Sequence, residues 1–239
     1  TLGGITEFEH EVPKIIQVTP KTVALGAGDA LRSSRMVREV AATTPAGPVM
    51  VQAVAATLAA RYAELRKQQI ESDVFIPRGL DMGQFYQGGA QQRMVLQIAG
   101  QLDQYVANFN YGVELLVAGV DDSGAHLYSI SNPGSRYNDF QQIGYTAVGS
   151  GALHALQSMI GFLHMSARSL HDTVFTVYAS KRRAEVAPGV GRDTDMAIIR
   201  DSGISWLSHE TLESLEKLYQ EYQRPLSQEL KERVGQLKL

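Results

Sequence analysis

The sequence predicts an α+β domain in which two antiparallel sheets are packed between helical layers. Three observations lead there. Leu115-Leu116-Val117-Ala118-Gly119-Val120-Asp121 is an unbroken apolar run ending in Gly and Asp, the pattern of a strand buried on both faces as it meets a turn. His126-Leu127-Tyr128-Ser129-Ile130 follows across Asp121-Asp122-Ser123-Gly124, so the two segments read as a hairpin. Further hairpins are expected near both ends of the chain, with helices between them, and that order suits sheets between helical layers rather than a βαβ wind.

The elements follow in order. Residues 14–18 and 22–25 read as short strands around Thr19-Pro20-Lys21. Gly26-Ala27-Gly28-Asp29 then turns into a helix over about 30–42, where Leu31, Met36, Val37 and Val40 recur at near-helical spacing, and Thr44-Pro45-Ala46-Gly47-Pro48 stops it. A second helix, over about 49–67, is rich in Ala and small apolar residues and is expected to be buried. Its Val51, Val54, Leu58 and Ala59 offer more apolar surface than one packed face uses, so both helices are expected to reach neighbouring subunits. Residues 72–89, with Pro77, Gly79, Gly83, Gly88 and Gly89, read as irregular, and a third helix over about 91–108 leads into the strand at Leu115. Two more helices are expected over about 152–164 and 170–184, the second ended by Pro188-Gly189-Val190-Gly191. Residues 195–199 and 204–206 read as a closing hairpin around Asp201-Ser202-Gly203. From His209 the tail is charged, with Leu212, Leu215, Leu218 and Tyr219 along one face and Pro225 dividing it. With no internal repeat or low-complexity linker, the chain divides into one domain over 1–208 and a C-terminal helical extension over 209–239.

Composition narrows the function classes. A length of 239 residues is enough for a substantial core, and a net charge of −3 with mixed signs gives no reason to expect nucleic acid or an anionic membrane as a partner. There is no cysteine, which removes disulfides, thiolate catalysis and cysteine-ligated zinc. His10, His126, His154, His164, His171 and His209 are scattered and give no metal spacing, so no metal and no cofactor is expected. The apolar stretches break well short of the roughly 20 residues a membrane span needs, and no signal peptide is visible. The cytoplasm is the default compartment. The chain opens on Thr1 rather than Met, so a segment upstream is expected to have been removed or to lie outside this sequence.

One segment carries the chemistry. Ala147 and Val148 run into Gly149-Ser150-Gly151, an elbow that opens the next helix. Small residues there let a backbone N–H and a hydroxyl face the same open space, a common build for a hydrolytic site. Plainer readings stand beside it. Ser150 can be a helix N-cap, Lys14 a solvated strand-edge lysine, Gly28-Asp29 a helix-initiating turn, and Lys181-Arg182-Arg183 a solvated helix end favourable to the dipole.

In their order and spacing these features resemble the proteasome β-subunit family, which hydrolyses peptide bonds with an N-terminal threonine. The resemblance covers most of the chain and implies a four-layer αββα sandwich of the N-terminal-nucleophile type. Pro13-Lys14-Ile15-Ile16-Gln17-Val18 is similar to the family's early strand, whose lysine sits beside the nucleophile and eases its deprotonation, which implies that role for Lys14. Gly26-Ala27-Gly28-Asp29-Ala30 is similar to the glycine turn near the oxyanion hole, implying oxyanion or substrate binding by Gly26 and Gly28. Gly149-Ser150-Gly151 is similar to the loop whose serine contacts the N-terminal amine, which implies a catalytic part for Ser150 and substrate binding at Gly151. The chemistry is coherent. A free α-amine with a pKa near 8 relays a proton at neutral pH, a nearby cation lowers the cost of the alkoxide, and backbone N–H groups stabilise the oxyanion.

Two departures shape the expectations. At roughly 3.3 Å per residue the segment between Thr1 and Lys14 holds one strand and a turn, not the family's opening hairpin, and Gly3-Gly4 is a poor strand. Thr1 more closely resembles a threonine that members carry just ahead of the lysine, so the strands bearing the nucleophile are expected upstream, with Thr1 itself kept as the alternative catalytic residue. Active members also carry an Arg-Asp pair and a serine after the second late helix, where this chain has Ala184, Glu185, Val186 and Ala187. The resemblance therefore implies a threonine-type protease acting on a peptide or other amide substrate in a homo-oligomer or ring, with a regulatory partner. The alternatives are a catalytically inactive structural subunit of such an assembly, or a small-amide hydrolase or acyl-transfer enzyme on the same fold.

Overall fold

The computed structural model describes residues 13–45 and 47–223. Thr1 and Pro225 lie outside the described residues. Five strands, β1 (Ile15–Thr19), β2 (Thr22–Gly28), β3 (Val113–Asp121), β4 (Gly124–Ile130) and β5 (Asn138–Asp139), form one antiparallel sheet in sequence order. β2 runs further than its apolar pattern suggested. Gly26, Ala27 and Gly28 stay in the sheet opposite Leu115, Glu114 and Val113, so the expected glycine turn is the end of a strand and the turn itself falls at Asp29.

Two helices cover one face. α1 (Ala30–Thr43) begins where the Asp29 carboxylate accepts the N–H groups of Leu31 and Arg32, an ordinary acidic N-cap. α2 (Val51–Ile70) has no side-chain cap of its own; instead Asp121, at the far end of β3, accepts the Val51 N–H at 2.9 Å. Met36, Val37, Val40, Val51, Val54, Ala55, Leu58, Ala59 and Tyr62 form a single core with Ala24, Leu115, Val117, Tyr128 and Ile130 of the sheet. Each large apolar side chain so buried contributes about 1.5–3 kcal/mol. Val51, Val54, Leu58 and Ala59 are therefore packed against their own sheet, so they provide no surplus apolar surface for a neighbouring subunit.

The strand β3 is also corrected. Val113, Leu115, Val117 and Gly119 are buried, whereas Glu114, Leu116, Ala118 and Val120 between them are half-buried, so the strand is sealed on one face only. Among the described residues, the second face is met by a smaller sheet, the hairpin of β6 (Ala197–Arg200) and β7 (Gly203–Trp206). β6 approaches β3, and Asp201 in the hairpin turn lies 4.0 Å from the Lys21 ammonium. Two paired strands are too narrow to cover the whole face.

Residues 72–89 are not irregular. α2 continues into a π-helical turn (Glu71–Phe75) and a 3-10 turn (Ile76–Arg78), followed by the short α3 (Met82–Tyr86). Asp81 and Gln84 cap α3 reciprocally, side chain to backbone in both directions. Phe75 and Phe85, ring centres 5.2 Å apart, anchor a second core with Ile70, Val74 and Leu102 of α4 (Leu96–Asn108). α5 (Ala152–Gly161) and α6 (Leu170–Ala184) pack together after the elbow. α7 (His209–Tyr222) lies on α6 through the Tyr178 hydroxyl, which donates to Glu216 at 2.7 Å. No helix among the described residues is long and apolar enough to cross a membrane.

Candidate active site

The elbow, the end of β2 and the C-terminal end of α6 meet at one end of the five-stranded sheet. Gly149 has a φ of +93° and lies against Ala27, with room of only 3.0 Å between the Ala27 methyl and the place a Cβ would occupy. That backbone suits glycine almost alone. The Gly149 N–H donates to the Glu114 carboxylate at 2.6 Å, and Glu114 is the register partner of Ala27. At the other end of the elbow, Gly151 is buried so closely on Ala184 that an added Cβ would come within 2.9 Å of the Ala184 Cβ and 3.0 Å of Val190. The elbow is thus fixed from two sides, with Ser150 exposed between its anchors.

Ser150 is not the helix cap that its sequence context also allowed. The cap position of α5 is Gly151, and no side chain caps that helix. The Ala152 N–H donates instead to the Gly149 carbonyl at 3.0 Å. Ala147 and Val148 lead into the elbow without belonging to a strand.

Lys14 is exposed, and its carbonyl accepts the Gly26 N–H at 3.3 Å, which places it beside the same strand end. Gly26 has its amide engaged there, and its lack of a side chain lets α1 cross close: a Cβ would stand 2.6 Å from that of Ser33. Gly28 has a φ of +85°, and a Cβ there would run into the Gly112 carbonyl. Both glycines thus have a packing reason to be glycine at the point where β2 ends.

Lys181, near the C-terminus of α6, is not the solvated helix-end lysine that its basic neighbours suggest, since its side chain is only 25% exposed. Its ammonium donates to Glu185 at 2.6 Å and to the carbonyls of Gly191 and Arg192 at 3.0 and 2.7 Å. Burial pushes its pKa down; Glu185 opposes the shift, while the positive charges of Arg182 and Lys14 add to it. Glu185 also accepts from Arg182 at 2.7 and 2.9 Å, so its carboxylate is held by two cations. An open cleft of about 590 Å³ adjoins these groups, lined in part by Glu185, Ala187, Val190 and Arg192. Neither Lys181 nor Glu114 carries a local signal. One sits in a basic helix end, the other beside an apolar run, and only the tertiary contacts mark them.

A proteasome subunit family model matches residues 89–171. The matched segment holds α4, β3, β4, β5 and the Gly149-Ser150-Gly151 elbow with α5, and it supports a proteasome β-subunit-like family for this chain. The mixed fold of helices and antiparallel sheets is consistent with that family. Lys14, Gly26, Gly28 and Lys181 lie outside the match. A search of curated proteins finds no match to the chain.

Proposed function

We propose that this chain is a proteasome-like N-terminal-nucleophile hydrolase that cleaves peptide or other amide bonds. The observation that carries the reading is the meeting of three sequence-distant parts at one sheet end: the Gly149–Gly151 elbow, Ala27 at the end of β2, and Lys14, whose carbonyl accepts the Gly26 N–H of the same strand. The family match over the elbow supports it. In this reading a threonine at the mature N-terminus is the nucleophile, with Thr1 as one candidate for that position. Lys14 eases its deprotonation, Ser150 holds the α-amine, the Gly28 N–H faces the developing oxyanion, and Gly151 shapes the floor. Gly26, with its amide given to Lys14, has no free donor and belongs to the scaffold.

The same reading takes in a four-layer αββα sandwich over 1–208 with 209–239 as an extension, a place in the cytoplasm, and a homo-oligomer or ring served by a regulatory partner. Members of the matched family form rings, which supports a homo-oligomer here. A second reading, a structural subunit without activity, is favoured by one observation: α6 ends at Ala184 and is followed by Glu185, Val186 and Ala187, and the Glu185 carboxylate is already occupied by Lys181 and Arg182. Turnover separates the two. The hydrolase reading predicts cleavage of fluorogenic peptides or simple amides by the processed full-length protein, reduced about 10²- to 10⁴-fold in Lys14→Ala. No turnover by the unaltered protein favours the structural subunit.

A further inference from the structure

Resting on the hydrolase reading, we propose that Glu114 is a positioning residue of this site: its carboxylate takes the Gly149 N–H and so fixes where Ser150 stands relative to the strand end at Ala27. Three observations combine. The contact is short, 2.6 Å, against about 2.9 Å for an ordinary N–H···O bond. Its base is rigid, because Glu114 lies between Val113 and Leu115, 1% and 0% exposed, and is registered on Ala27 across the sheet. Its face of β3 is otherwise apolar, continuing through Leu116, Ala118 and Val120. A carboxylate on such a face loses hydration and needs a partner in return, and the partner here is the first amide of the elbow. With Gly151 packed on Ala184 and Val190, the elbow has one polar and one steric anchor, and Ser150 is the residue between them. The negative charge also lies ahead of the N-terminus of α5, where the helix dipole favours it.

A positioning role makes demands on length as well as charge. Glu114→Gln keeps an acceptor at the same reach but weakens the bond. Glu114→Asp keeps the charge but withdraws it by one methylene, and Glu114→Ala removes both. The test uses full-length protein labelled with ¹⁵N-glycine and reads the Gly149 amide proton, with circular dichroism and thermal melting as controls on folding. The unaltered protein is expected to show that proton strongly downfield, with an upfield move in all three variants, largest in Glu114→Ala and smallest in Glu114→Gln. Turnover is expected to fall about ten- to a hundredfold in kcat for Glu114→Ala and Glu114→Asp, with KM little changed and Glu114→Gln in between. A Gly149 amide proton that does not move in Glu114→Ala overturns the proposal. So does a proton that moves while kcat and KM both stay the same. If the unaltered protein turns over no substrate, the hydrolase reading fails by itself, and the amide proton alone still decides whether Glu114 holds the elbow.

Discussion

Lys181 illustrates how a single side chain can hold a site without touching a substrate. All three of its N–H bonds are directed, to Glu185 and to the carbonyls of Gly191 and Arg192, and so it ties the end of α6 to the loop that packs Val190 against the elbow. Lys181→Met removes these bonds and leaves partly buried acceptors unpaired, a predicted loss of about 1–3 kcal/mol in urea unfolding. An unchanged midpoint would mean that water replaces the ammonium at no cost. Asp121 is the corresponding node at the opposite end of β3. Burial alone would raise its pKa, but hydrogen bonds from Ser123, the Val51 N–H and His126 outweigh this and hold it well below the ordinary carboxylate range. A carboxyl with a depressed folded pKa stabilises fully above its unfolded pKa and loses that contribution as pH falls towards the folded value. Asp121→Ala is therefore predicted to cost about 1–2 kcal/mol at pH 7, with the gap to the unaltered protein closing as pH drops below about 4. Urea midpoints at pH 7 and pH 3 measure this, and a gap that widens in acid contradicts it.

At the scale of elements, the packed helix face and the elbow respond differently to substitution. Leu58 is fully buried in the α1–α2 core, so Leu58→Ala is predicted to destabilise by about 3 kcal/mol. Gly151→Ala pushes a methyl onto the rigid Cβ of Ala184 and is predicted to cost about 1–3 kcal/mol while shifting Ser150. A melting temperature unchanged by Gly151→Ala would show that the elbow has slack. Elements with a local start signal were legible. α1 begins at Asp29, and α6, capped by Ser169, ends at Ala184 as its sequence suggests. α3 was missed because its glycines masked a five-residue helix whose reciprocal cap, Asp81 with Gln84, is a local signal passed over, while its anchor Phe85 finds Phe75 only in the folded chain. The glycine motif at 26–28 was seen, but not that β2 continues through it, since strand continuation depends on the partner at 113–115.

For the molecule as a whole, the run at 115–120 announced the central strand, whereas its one-sided burial depends on how much of the second sheet lies over it, which no local pattern encodes. The candidate site is legible where its parts are glycine motifs: Gly149-Ser150-Gly151 and Gly26-Ala27-Gly28 stand out in the sequence, and Gly149 lies against Ala27 in the fold. It is illegible where long side chains reach across elements, as Glu114 and Lys181 do. The apolar residues Val51, Val54, Leu58 and Ala59 are used internally, while Val95, Leu96 and Ile98 at the start of α4 are exposed. Light scattering is predicted to give a native mass above the 26.1 kDa of one chain; a monomer at micromolar concentration contradicts the oligomer. The central claim, that the converged sheet end is a hydrolytic site, is tested most directly by intact-mass analysis after treatment with an electrophile that captures N-terminal nucleophiles. The account predicts one adduct per chain on the full-length processed protein, mapped to the mature N-terminal residue and lost in Lys14→Ala. No adduct on such a preparation, or an adduct that survives Lys14→Ala, contradicts it.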